Sequence, residues 1–165
     1  MAGITAQVKD SADNTYAVDV RKDNGTSTGT TGAIASSDLN NDLPSGSTIT
    51  VTLSSTVTYR LAVAYAYSGL SSKDGTAATT GTSTAPSSGT IQISGSPALI
   101  FGVTVYNNSG AHTAGAGLTE LAELQAGTAK SLAVDERIVS TTGTYGDSGT
   151  LTSSVAWTDS VAGYK

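Results

Sequence analysis

Cysteine is absent from these 165 residues, histidine occurs once, and charged side chains make up only 13%. The lack of thiols removes disulfides and zinc-thiolate sites together, which fits synthesis in a reducing cytoplasm. A single imidazole leaves one possible base for a Ser/His/Asp triad. That residue, His112, sits in Ser109-Gly-Ala-His112-Thr-Ala-Gly115, and no Gly-x-Ser-x-Gly elbow occurs in the chain. It reads as an exposed loop histidine. Basic residues number eight against 13 acids, scattered as Lys9, Arg21, Lys22, Arg60, Lys73, Lys130, Arg137 and Lys165. With a pI near 4.5 and no basic patch, nucleic acid is excluded as an expected partner. Long apolar runs are missing too. The stretch around 97–105 is too short to span a bilayer, and the opening Met-Ala-Gly-Ile-Thr lacks the basic and apolar regions of a signal peptide. No membrane association is expected.

What the chain does contain is hydroxyl and turn chemistry: 27 Thr, 23 Ser and 19 Gly, with not one Asp, Glu, Lys or Arg from Gly75 to Thr119. Net charge is only −5, and the apolar residues gather in short β-branched runs, unlike a disordered chain. Alternation with a period of two recurs along the sequence, which is the signal of a sheet. It predicts strands over 4–9 and 16–21, joined as a hairpin by Asp10-Ser-Ala-Asp-Asn14, and then a polar loop over 24–32. A short helical turn is expected over 36–43, ending before Pro44.

Further strands are expected over 48–53, 59–67, 90–94, 98–106, 131–140 and 151–164, with 98–106 central. In 59–67, Tyr59, Leu61, Val63, Tyr65 and Tyr67 share one face, read as core, and Ala62, Ala64 and Ala66 share the other. Residues 69–89 and 107–117 read as loops, and 118–124 suits either a helical turn or a strand. Eight or nine strands without a repeated helix predict one all-β domain over 1–165, an antiparallel β-sandwich of jelly-roll type.

Carboxylate chemistry has little to work with. Glu120 and Glu123 are three apart, and Asp135-Glu136-Arg137 reads as a solvated strand face with local charge compensation, so no pair of acids is set for glycoside hydrolysis. Asp38-Leu-Asn40-Asn-Asp42 has the spacing that opens a calcium loop. Its sixth and twelfth positions, Leu43 and Ile49, depart from the required Gly and Glu. Whether Asp38, Asn40 and Asp42 bind an ion stays open at this point. No catalytic, cofactor or metal residue is assigned.

Several segments together resemble a β-sandwich module of tailed-phage virion proteins and bacterial surface proteins. They are Asn14-Thr-Tyr-Ala-Val-Asp-Val20, Leu43-Pro-Ser-Gly-Ser-Thr-Ile-Thr-Val51, Leu61-Ala-Val-Ala-Tyr65 with Ser68-Gly-Leu70, and Gly81-Thr-Ser-Thr-Ala-Pro-Ser-Ser-Gly-Thr90. Ala98-Leu-Ile-Phe-Gly-Val103, Glu136-Arg-Ile-Val-Ser-Thr-Thr-Gly-Thr-Tyr145 and Ser153-Ser-Val-Ala-Trp157 continue the series. The resemblance implies a non-enzymatic protein without cofactor. A module standing alone between Met1 and Lys165 suits a capsid decoration (head cement) protein on the virion surface. Such a protein binds the major capsid protein, forms homo-oligomers with a trimer favoured, and is synthesised in the host cytoplasm. Met1-Ala-Gly3 could then be an arm adding a strand to a neighbour. The alternative is a carbohydrate- or receptor-binding module of a tail or adhesin, which outward tyrosines or Trp157 in a groove would favour.

Overall fold

Alternating β-branched and hydroxyl residues leave almost every segment of this chain better suited to a pleated strand than to a helix. The computed structural model describes residues 4–25 and 29–165, so the arm expected at 1–3 lies outside the described residues. Strand accounts for 58% of the described residues, and there is no helix among them. Twelve strands run in chain order: β1 (Ala6–Asp10), β2 (Ala17–Asp23), β3 (Thr31–Ser36), β4 (Ile49–Leu53), β5 (Lys73–Ser83), β6 (Ser87–Ile93), β7 (Ala98–Asn107), β8 (His112–Ala114), β9 (Thr119–Ala126), β10 (Lys130–Val139), β11 (Gly143–Leu151) and β12 (Val155–Tyr164). All their pairings are antiparallel.

The middle layer is a five-stranded sheet in the order β5-β12-β7-β10-β9, with β7 at its centre as its apolar run predicts. One face of this sheet carries Ala98, Ile100, Gly102, Thr104 and Tyr106 of β7, opposite Val161, Asp159 and Trp157 of β12 and Asp135 and Ala133 of β10. It packs on the three-stranded sheet β6-β11-β8. The other face carries Phe101, Val103, Leu132, Val134 and Ala162, and packs on Val20 and Ile34 of the β2–β3 pair together with Leu61. The antiparallel all-β sandwich expected from alternation is therefore what forms, with ribbons on both sides of a central sheet.

Four local expectations change. Residues 4–9 and 16–21 do not form a hairpin. β1 pairs with β4 and β2 with β3, and a single bridge, Lys9 to Thr15, ties β1 to the segment leading into β2. Asp10 dictates this turn: its carboxylate accepts bonds from the amides of Ala12 and Asn14, from Asn14 Nδ2 and from the Tyr16 hydroxyl. Residues 37–48 form a loop rather than a helical turn, because Asn14 fastens it. The Asn14 side-chain amide donates to the Asn41 carbonyl and accepts from the Asn41 backbone amide.

The supposed loop over 69–89 holds β5, and a further strand, β11, lies at 143–151, where no element is expected. In β5 the run Gly75-Thr-Ala-Ala-Thr-Thr-Gly81 is small because it must be: a Cβ at Gly81 would come within 2.6 Å of the Trp157 ring. Conversely, 59–67 is not assigned as a strand. Its tyrosines and alanines are exposed, with only Leu61 half-buried, so neither face of it is core. Tyr65 and Tyr67 lie edge-on to Phe101, and the Tyr67 hydroxyl donates to Glu136 at 2.7 Å.

Burial sets the expected mutational contrast. Ile100→Ala, at a fully buried site in the sandwich interior, should cost about 2–5 kcal/mol in urea unfolding. Ile138→Ala, at a site 62% exposed, should stay within about 0.5 kcal/mol.

Candidate functional site

Between the central sheet and the β6-β11-β8 layer the interior is not uniformly apolar. One end is closed by Ile91, Ile93, Ala98, Ile100, Val139 and Val161, and the other by Tyr106, Ala133, Leu151 and Trp157. Between them lies a belt of acids. Asp135 on β10, Asp147 on β11 and Asp159 on β12 are all essentially inaccessible to solvent. They recur at a spacing of twelve residues. Strands of about ten residues with short connections thus return an inward position to the same level three times. His112 on β8 is buried beside them, with Glu120 and Glu123 of β9 at the rim.

Two glycines make room for the belt. A Cβ on Gly102 would lie 2.1 Å from the Asp147 carboxyl carbon, so this carboxyl occupies a notch in β7 that only glycine leaves open. A Cβ on Gly149 would lie 2.1 Å from His112 Nε2, so the imidazole is seated against β11 in the same way. The Asp147 backbone is pinned by Ser88, whose buried hydroxyl accepts from the Asp147 amide at 2.9 Å. His112 Nδ1 is 2.8 Å from Glu120 Oε2, and its Nε2 lies 3.6 Å from Asp135 Oδ2. Glu123 accepts from the Tyr106 hydroxyl at 2.6 Å.

Polar satisfaction fails at the centre of this belt. Both carboxyl oxygens of Asp147 and of Asp159, one of Asp135, His112 Nε2 and the Thr104 hydroxyl have no hydrogen-bond partner. Carboxylates in that position are costly, and the groups respond by holding protons. Burial, then the neighbouring charge of Asp147, pushes Asp135 up to about 7. Burial also raises Asp147 and Asp159, and the charge of Asp159 beside Asp147 adds to the rise there, so the two carboxyls resist being ionised together.

The reading of His112 as an exposed loop residue is thus corrected: it is a buried strand residue, drawn inward by Glu120 and the Gly149 notch. The reading of Asp135-Glu136-Arg137 as a solvated face is corrected likewise. Asp135 turns into the sandwich, Glu136 meets Tyr67, and only Arg137 is exposed, its guanidinium 5.4 Å from the Tyr145 ring. Asp38, Asn40 and Asp42 lie exposed in the 37–48 loop, away from this belt. Sequence reasoning misses Asp147 and Asp159 altogether. The available signal is their spacing from Asp135, together with Gly102 interrupting an otherwise apolar strand.

The outer surface has the opposite character. The β1–β4 pair stands as a two-stranded ribbon with no third strand, and its Val8, Ile49, Val51 and Leu53 share one face. Ile49 and Val51 are each more than 40% exposed. Tyr59, Val63, Tyr65 and Tyr67 add a second exposed apolar strip. Depressions of about 250 Å³ at Thr5–Gln7 with Thr52–Ser54, and about 190 Å³ at Asn24, Thr80–Thr82 and Ala156, are lined by no acid, histidine or lysine.

The buried acids also set the sign of the pH dependence. A carboxyl raised in the folded state binds more protons there than in the unfolded chain, so stability is lost as pH rises from about 4 through the folded value. Asp135 faces Asp147, Asp159, His112 and Glu120, and the Tyr106–Glu123 pair lies alongside. Asp74, held low by Ser94 and Lys165, acts in the opposite sense only in more acidic solution. In metal-free buffer, urea-determined stability should fall between pH 5 and 8 by at least ~1.4 kcal/mol, the worth of one pKa unit. Asp147→Asn should reduce that loss and stabilise the protein at pH 8.

No protein-family model, curated protein or solved structure matches the chain.

Proposed function

We propose that this chain is a non-enzymatic structural protein that works by docking onto other protein subunits. In its sharper form it is a tailed-phage capsid decoration protein, bound to the major capsid protein on the outer virion surface. The observation that carries the reading is the apolar face of the β1–β4 ribbon, left uncovered in the monomer. A two-stranded ribbon alone is marginal in water, and exposed apolar patches mark interaction surfaces. Ile49, Val51 and Val8 would be covered by the partner, and the tyrosine strip over 59–67 offers a second contact of the aromatic kind that interfaces favour. The titratable groups support the same reading. Asp135, Asp147 and Asp159, the acids raised by burial, lie inside the sandwich, and the two surface depressions are lined by no acid, histidine or lysine. The capsid, the trimer and the phage enter by the sequence resemblance alone.

A second reading, a carbohydrate-binding module, draws on the outward Tyr59, Tyr65 and Tyr67. Trp157 gives it nothing, being buried with its Nε1 donating to Ser83.

The test is sedimentation of purified protein with undecorated phage heads. Bound mass in a fixed ratio to capsid subunits and added resistance to heat are expected, and Val51→Asp should abolish both. Heads that gain neither mass nor resistance, with binding on a glycan array instead, would establish the second reading.

A further inference from the structure

The acidic belt has a chemistry that docking does not use. Among the described residues, ligand atoms of His112, Glu120 and Asp135 all lie within 4.8 Å of one another, one nitrogen and two carboxylate oxygens drawn from three strands. The Nδ1 to Glu120 distance of 2.8 Å, here a hydrogen bond, is also the edge of a coordination polyhedron with bonds of about 2.0–2.2 Å. The Nε2 to Asp135 Oδ2 distance of 3.6 Å is too long for a hydrogen bond, and the buried Nε2 is left without a partner, as is Asp135 Oδ1. A separate observation points at the same place. Asp147, from the opposing sheet, is 1% exposed and aimed through the Gly102 notch beside Asp135, with both oxygens unpartnered.

We propose that His112, Glu120 and Asp135 bind one divalent transition-metal cation of the Zn²⁺ or Mn²⁺ class, with Asp147 hydrogen-bonded or bound at its rear. The imidazole selects this class over Ca²⁺ and Mg²⁺, which take oxygen ligands. Three carboxylates and a neutral imidazole around a dication cancel most of the charge that the buried acids otherwise bring together. An entry path exists at the sheet edge: the Glu120 side chain is 31% exposed, whereas those of His112 and Asp135 are sealed. The cation would tie β8, β9 and β10 together, joining the two sheets that enclose the belt.

The experiment uses the untagged chain, refolded from urea with Zn²⁺, Mn²⁺ or Ca²⁺ alone and passed through gel filtration before elemental analysis. One Zn²⁺ or Mn²⁺ per chain is expected, with the melting temperature raised by about 5–10 °C at a hundredfold excess over Kd. Because His112 is the only histidine, a single imidazole reports the site by nitrogen NMR, and one ring nitrogen should move on loading. Asp135→Asn and His112→Gln should each weaken binding by more than the roughly 10–100-fold that loss of a supporting residue costs. Asp147→Asn should fall within that 10–100-fold range, and Glu136→Gln should change nothing. Retention of less than about a tenth of an ion per chain, with both ring nitrogens unmoved and the melting temperature unchanged, would overturn the site. It would leave a buried histidine hydrogen-bonded to Glu120 alone. Stoichiometric binding that survives His112→Gln and Asp135→Asn would overturn it equally. Neither result bears on capsid docking, which is read from a different surface.

Discussion

Carboxyl groups placed inside a protein without a cationic partner must lose their charge, and this requirement organises the sandwich. Asp135, Asp147 and Asp159 meet between two apolar clusters, and among the described residues no lysine or arginine forms an ion pair with them. Their burial as full charges would cost several kcal/mol each. Protons shared among them, or a cation held by them with His112, remove that cost. Either solution joins strands of both sheets, because the belt draws on β8, β10, β11 and β12 at one level. The notches at Gly102 and Gly149 exist only to admit Asp147 and His112. A sheet that merely needed filling would use valine at those positions.

The outside of the molecule complements this inversion. Asp135, Asp147 and Asp159 lie within, while Ile49, Val51, Tyr59, Val63, Tyr65, Tyr67 and Ile138 are exposed. With so little surface charge, solvent contributes little to keeping the β1–β4 ribbon separate from other proteins. An exposed ribbon whose apolar face is ready-formed needs little ordering on contact, which favours docking. The same feature would make the free protein prone to association at high concentration.

Much of the fold is legible from alternation. The central position of β7, the inward Trp157 and Val161 of β12, and the strand at 49–53 all come from period-two patterns. The illegible parts have physical causes. Small residues hide β5, since Gly81 gives way to Trp157, and a strand selected for what it admits carries no hydrophobic signature. β11 escapes notice for the same reason: Gly146 is pressed against the Gly89 carbonyl and Gly149 against His112. The 59–67 segment misleads in the other direction, because its alternating run reads as core where it covers Phe101 from outside. Charged residues adjacent in sequence, Asp135 through Arg137, read as solvent-facing, although alternation itself sends the first of them inward beside Gly102.

The most direct test of the buried acidic belt is a carbon-detected NMR titration of the aspartate side-chain carboxyls in the metal-free protein. At least two of Asp135, Asp147 and Asp159 are expected to remain protonated well above pH 5 and to titrate together. If all three lose their protons near pH 4 as exposed aspartates do, the belt is solvated and the account of this interior is wrong.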